Sequence, residues 1–393
     1  MSSSRFVAVC ASSLLVGLTA TVGSQAPHVL QPQPKPFQRG SGTPLQIQLE
    51  QVREFIHVNE AVKRFRVDGS GLTAAVIDTG VYAAHVDFGG GQRIVAQLNL
   101  TSDNGGDRTN ALDGHGHGTN VAGIISANSL HQGIATGSRL AAIKVFDNRG
   151  EGTFDKVREG LDWIRGPEAA PLGISVVNLS LRDFGNSSTD AGSETDALRA
   201  SIAALRALRI PVVASAGNWY KHYERQGMTY PAILHETVSV GSVYDGMGGR
   251  LTYPDYFNAE ASSRVAGQIT PFSQRLHESV SADSRTDIFA PGAPVTATGL
   301  NSPTRGESTQ EGTSQAAPVT SGVILLMQQL YRRKFPNQLP TVDDVEKWLR
   351  AGAVMELDGD NERDNVAHTG LSYPRIDALG ALEAMSKELG IAP

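Results

Sequence analysis

Cysteine is almost missing from this sequence: Cys10 is the only one among 393 residues. A disulfide framework within the chain is excluded, and so is a zinc site built on cysteines. An excess of basic charge is missing too. Lysine and arginine total 34 against 40 acidic residues, a net charge of −6. A dedicated nucleic-acid binder would carry a basic domain, so that class is set aside. Charged residues are only 19% of the chain and hydrophobic ones 40%. Disordered chains show the opposite balance. Only one apolar run approaches the length of a membrane span, from Phe6 to about Ala20. That stretch is short for a membrane span, and Ser12, Ser13 and Gly17 interrupt it.

Glycine, in contrast, is plentiful. The 42 glycines exceed the usual share of ~7%. They follow no G-X-Y period, so a collagen-like chain is excluded, and they must serve turns and close backbone approaches. The ends of the chain also have a distinct character. Arg5 followed by the apolar stretch reads as a secretory signal over residues 1–26, cut after Ala20, Gly23 or Ala26. A retained anchor is the alternative. Residues 27–54, with Pro27, Pro32, Pro34, Pro36 and Pro44, read as a proline-rich linker and the entry to a domain. The main domain is expected over 55–386, with a tail at 387–393. Export without usable cysteine fits a secreted, periplasmic or extracellular protein. It would not be membrane-bound once the signal is removed.

From about residue 70, short β-branched runs alternate with helical patterns. Leu72 to Ile77, Leu140 to Phe146, Ile174 to Leu179, Pro211 to Ala214 and Thr237 to Val240 read as buried strands. Val157, Leu161 and Ile164 fall on one face of a helix, as do Leu198, Ile202, Leu205 and Leu208. Near-continuous apolar strands interleaved with helices predict an α/β fold. Its sheet would be doubly wound and mostly parallel, with helices on both faces. Ligands in such folds sit at the carboxyl ends of the strands.

Three segments stand at such ends. Asp78 closes an apolar strand in Ala-Val-Ile-Asp-Thr-Gly-Val. His117 opens a helix in Gly-His-Gly-Thr-Asn-Val-Ala-Gly, and Ser314 opens another in Gly-Thr-Ser-Gln-Ala-Ala-Pro-Val. Each alone has a structural explanation: a turn carboxylate, a loop histidine or metal ligand beside His115, and a helix N-cap. In this order the three together resemble the signatures of the subtilases, the subtilisin-like serine proteases. The resemblance covers roughly residues 55–386 and implies the subtilisin fold. It also implies a catalytic triad of Asp78, His117 and Ser314. Such chemistry is coherent. A serine hydroxyl is a weak nucleophile that needs a base, histidine titrates in the required range, and an aspartate can hold the imidazole in one tautomer. Asn218, after the strand Pro211 to Ala214, matches the family's oxyanion asparagine. Ser180, Leu181 and Arg182 on one side, and Ala216 and Gly217 on the other, match the walls that hold the substrate. The implied partner is a polypeptide bound in extended form. No cofactor is required, no nucleic acid is involved, and a monomer is expected.

The sequence departs from the family pattern in several places. Arg182 stands where the family has glycine. It is expected as a solvated pair with Asp183 at the cleft rim; the alternatives are a cation that weakly favours acidic substrates and an arginine that blocks the cleft. Too few residues precede Asp78 for a folded pro-domain of ~70–80 residues. Asp87 matches a carboxylate of the family's calcium site, but the loop Ser126 to Gly133 is short, so a turn carboxylate is expected. Residues 245–268 read as an insertion. The acidic run Asp358 to Asp364 suggests either a solvated loop or a structural calcium ion, and no metal site is assigned. Two other functions are weighed against a working protease. A pseudoprotease would bind peptides without cutting them. An aspartic protease would use the Asp78-Thr79-Gly80 motif, but no second copy of that motif is present.

Overall fold

The computed structural model describes residues 29–30, 48–193, 196–359 and 361–393. The expected signal and most of the expected linker lie outside the described residues. The centre of the molecule is a nine-stranded sheet. Its order is Val354–Leu357, Ser372–Arg375, Ile288–Pro291, Val238–Val243, Val212–Ser215, Ile174–Leu179, Thr73–Asp78, Arg139–Lys144 and Ile94–Asn99. Every pairing is parallel except that of Val354–Leu357 with Ser372–Arg375. The α/β architecture read from the strand and helix pattern is therefore present.

The strands are apolar throughout because both faces are covered. Val76, Val176, Val213 and Val240 point to one face, against Val121, Ile124, Val319 and Val323 of the helices His117–Ser126 and Thr313–Lys334. Ala75, Ile77, Val177 and Ala214 point to the other, against Val157, Leu161, Ile202 and Leu205 of Phe154–Ile164 and Ala197–Ala207. Alternation along each strand thus splits one sequence run between two cores.

The helix Gln48–Phe55 contributes Leu49 and Val52 to the first core, so the chain joins it before residue 55. At the other end the last helix runs Ala378–Leu389, and Ile391 packs on the same core. Residues 245–268 build a small antiparallel sheet from Leu251–Tyr253 and Ala259–Ser263, extended by Arg363–Asp364. Tyr244, Tyr253, Tyr256 and Phe272 form its own core. On another edge, Val29–Leu30 pairs antiparallel with Gly152–Thr153. Among the described residues no helix is long and apolar enough to cross a membrane.

One consequence of the strand order matters for the site. Thr73–Asp78, Ile174–Leu179 and Val212–Ser215 are adjacent and parallel. Their carboxyl ends therefore deliver Asp78, Ser180 and Asn218 to one edge of the sheet.

Candidate active site

Asp78 ends its strand fully buried, and its carboxylate accepts the backbone N–H of Thr79 at 2.7 Å. His117 begins the helix that packs across this strand end. Its Nδ1 lies 2.8 Å from Asp78 Oδ1 and 2.9 Å from Oδ2. The first helical turn can approach so closely only because residue 118 is glycine. A Cβ there would fall 2.2 Å from the carbonyl oxygen of Gly80 and 3.1 Å from the Asp78 side chain. His117 Nε2 is buried and has no hydrogen-bond partner.

Asp113 holds this corner together, and the sequence reading missed it. One carboxylate oxygen accepts from the backbone N–H of His115 and Gly116 and from the Thr79 hydroxyl. The other accepts from the N–H and hydroxyl of Thr119. A single buried carboxylate thereby caps the His117 helix and ties it to the Asp78 strand. An acid four residues before the histidine, with threonine two after, is the sequence signal that was available. On the far side, buried Lys144 donates to the Thr79 carbonyl at 2.7 Å and pairs with Asp103 at 3.2 Å.

Ser314 lies in the first turn of the 22-residue helix Thr313–Lys334. The two helix starts are neighbours: Gln310 Nε2 donates to the Gly116 carbonyl at 3.2 Å, and Gln315 Nε2 to Asn120 Oδ1 at 3.4 Å. Ser314 Oγ donates to the Ser180 carbonyl at 3.3 Å, and the Ser180 hydroxyl donates to the Ser314 carbonyl at 2.7 Å. The serine thus faces the Ser180 strand end, and His117 Nε2 has no hydrogen-bond partner.

Asn218 is buried next to the same helix start. Its Oδ1 accepts from the Thr313 backbone N–H at 2.9 Å and the Thr313 hydroxyl at 2.7 Å. Its side chain also hydrogen-bonds the Tyr256 hydroxyl, which in turn donates to the Glu311 carbonyl at 2.7 Å. Asn218 Nδ2 and the Tyr256 oxygen both close on Gly312, 2.9 and 3.1 Å from where a Cβ would stand. Gly312 also has φ +146, which L side chains rarely adopt. Tyr256 comes from residues 245–268, and nothing in its local sequence announced a place at the site.

The expected substrate walls converge here as well. Leu181 is buried in the core, and its carbonyl accepts from Ser215 Oγ at 3.3 Å, so it presents backbone. Ala216 is buried, and the Gly217 N–H donates to Thr313 Oγ1 at 3.1 Å. Arg182 requires a correction. It is not a solvated partner of Asp183 but a side chain only 7% exposed. Its guanidinium lies 4.6 Å from the ring centre of Trp219 and 5.8 Å from that of Phe184. The Asp183 carboxylate turns away, accepting from the N–H groups of Gly185 and Tyr230. The weakly hydrated, planar guanidinium exchanges water for aromatic faces.

The carboxylates considered for metal binding are already engaged. Asp87 is buried and accepts from Leu130 N, His131 N, His131 Nδ1 and Thr298 Oγ1. Asp358 is buried against Arg275 at 3.0 Å. Asp360 lies outside the described residues. Asp190, His235 and Glu236 stand close enough to share an ion, but Arg199 already sits there, 2.9 Å from each carboxylate. Burial, and then neighbouring His117, lowers the pKa of His115, so it favours the neutral form.

Comparison with known proteins agrees with this geometry. The subtilase family model matches residues 69–369. The major intracellular serine protease of Bacillus subtilis is 27% identical over 323 residues, covering 78% of this chain and 86% of that one. Subtilisin DY of Bacillus licheniformis is 29% identical over 266 residues, 67% of this chain and 78% of its own. A crystal structure of a cold-adapted subtilisin-like serine proteinase superposes with a TM-score of 0.57 at 25% identity, covering 80% of this chain and 90% of that chain. The chain belongs to the subtilase family, a family of peptide hydrolases.

Proposed function

We propose that the protein is a secreted serine endopeptidase that cuts extended polypeptides through an acyl-enzyme on Ser314. The observation that carries this reading is the buried Asp78–His117 pair, whose Nε2 is unpartnered, on a helix whose first turn neighbours that of the Ser314 helix. In this scheme Ser314 Oγ attacks the scissile carbonyl and gives its proton to His117 Nε2. Asp78 fixes the tautomer and stabilises the imidazolium. The tetrahedral oxyanion receives a hydrogen bond from Asn218 Nδ2 and another from the Ser314 N–H, which lies in a helical turn without intrahelical acceptors. His117 then protonates the leaving amine, and water repeats the sequence on the acyl-enzyme. Thr313 and Tyr256 hold the Asn218 amide at its two ends, so the amide is oriented before the charge develops. The bond from Ser314 to Ser180 is a resting contact, and catalytic hydrogen bonds of this kind commonly tighten only when substrate is bound.

Substrate would lie between the backbone of Ser180, Leu181 and Arg182 and that of Ala216 and Gly217. No cofactor enters the scheme. Secretion rests on residues 1–26 as a signal and the peptidase domain on residues 55–386; a monomer is proposed with them. The test is hydrolysis of a denatured protein by wild type and Ser314→Ala. The variant should be inactive and fold normally; unchanged hydrolysis would remove Ser314 as nucleophile. A second reading, peptide binding without cleavage, is favoured by one observation, the Ser314 hydroxyl bonding to Ser180 instead of His117. Hydrolysis by the wild type would overturn it.

A further inference from the structure

Arg182 is a buried cation that forms no ion pair among the described residues, although the charge of Asp183 reaches it. Among the described residues no carboxylate lies within ion-pair distance of it. Its one hydrogen bond runs from Nη1 to the Asp183 carbonyl at 3.2 Å, and its Nε is buried and unpartnered. Burial lowers its pKa to about 10, which leaves it charged at neutral pH. Buried charges are normally paired, because leaving the solvent is costly unless an opposite charge replaces the water. Trp219 and Phe184 cover the guanidinium face and cannot supply that charge.

Its location shows what could. Arg182 lies two residues beyond Ser180, whose carbonyl abuts Ser314 Oγ. Trp219, on which it stacks, directly follows Asn218. Tyr256, bonded to Asn218, is a further neighbour of the guanidinium. A carbonyl held between Ser314 and Asn218 has its own side chain one bond away, between these two strand ends. We propose that Arg182 receives the carboxylate of an aspartate or glutamate immediately before the scissile bond, making the protein an endopeptidase selective for acidic residues at that position. The proposal rests on Ser314 and Asn218 marking the reacting carbonyl, as in the function proposed above. The aromatic faces hold the guanidinium plane in place, and its unpartnered N–H edge supplies charge-assisted hydrogen bonds.

Two measurements separate this proposal from the function it rests on. The first compares kcat/KM for matched peptides with Glu or Gln before the cut, in wild type and in Arg182→Met, with Arg182→Gln as a second variant should the first not fold. Wild type should favour Glu by about tenfold to a hundredfold, the range for a hydrogen bond to a charged group. The ratio should fall to about one without the cation. The second measures binding of the same two peptides to Ser314→Ala by fluorescence anisotropy, which needs no hydrolysis. A Glu preference there that vanishes in Ser314→Ala/Arg182→Met supports the proposal even if hydrolysis fails. Equal affinity for the Glu and Gln peptides, or a preference that survives loss of Arg182, overturns it.

Discussion

Asn218 and Thr313 are clasped by two hydrogen bonds onto one oxygen, from the Thr313 N–H at 2.9 Å and from its hydroxyl at 2.7 Å. The amide therefore cannot turn over, and its nitrogen is held close to Gly312. If that nitrogen meets the developing oxyanion, Asn218→Ala should lower kcat by ~10²–10³, a magnitude known from subtilisin itself, with KM little changed. Steady-state kinetics on one peptide decide this. A raised KM at constant kcat would make Asn218 a substrate-positioning residue.

Tyr256 should matter through Asn218. Tyr256→Phe removes one hydroxyl and keeps the ring in its aromatic core. Its expected effect is a kcat lowered by roughly five- to tenfold, the scale of one hydrogen bond, at unchanged KM. In an Asn218→Ala background the same change should have no further effect on kcat. Additive losses in the double variant would show that Tyr256 does not act through Asn218.

Asp113 should be the most costly polar residue of the site to remove. Asp113→Ala leaves the donors on His115, Gly116, Thr119 and Thr79 without their acceptor in a buried corner. A loss of about 3–5 kcal/mol is expected, as for breaking a buried charged network by removing one partner. Urea unfolding of the two proteins measures it. A difference below about 1 kcal/mol would mean that water replaces the carboxylate.

Glu311 gives a pH dependence with a definite sign. Burial, and then the nearby Asp255, pushes its carboxyl from 4.5 up to about 7. Folding thus favours the protonated form. That contribution is fully present below about pH 4.5 and is lost as pH rises through about 7. Glu311→Gln should melt close to wild type at pH 4.5 and above it at pH 8. Parallel melting-temperature curves across that range would contradict the assignment.

The fold and the three catalytic candidates were legible because their signals are local. The strand Thr73–Asp78 and the helix stripe Val157, Leu161 and Ile164 show their burial in a few consecutive residues. The motifs at Asp78, His117 and Ser314 each lie within one turn or strand end. What was not legible depends on distant partners. Arg182 beside Asp183 suggests a surface ion pair, and only the fold brings Trp219 and Phe184 over it. Tyr256 reaches Asn218 because a small sheet folds back across the site, which no local pattern encodes. Asp87 was expected as a turn carboxylate, but its partners His131 and Thr298 are distant in sequence and only the fold supplies them.

The central claim is that Ser314 is a nucleophile activated by His117 and Asp78. The most direct measurement is reaction of the purified protein with a fluorophosphonate, followed by mass mapping of the adduct. The account predicts one label per chain, on Ser314, with labelling slowed strongly in His117→Ala and absent in Ser314→Ala. A folded wild-type protein that stays unlabelled, or one labelled at another serine, would contradict it.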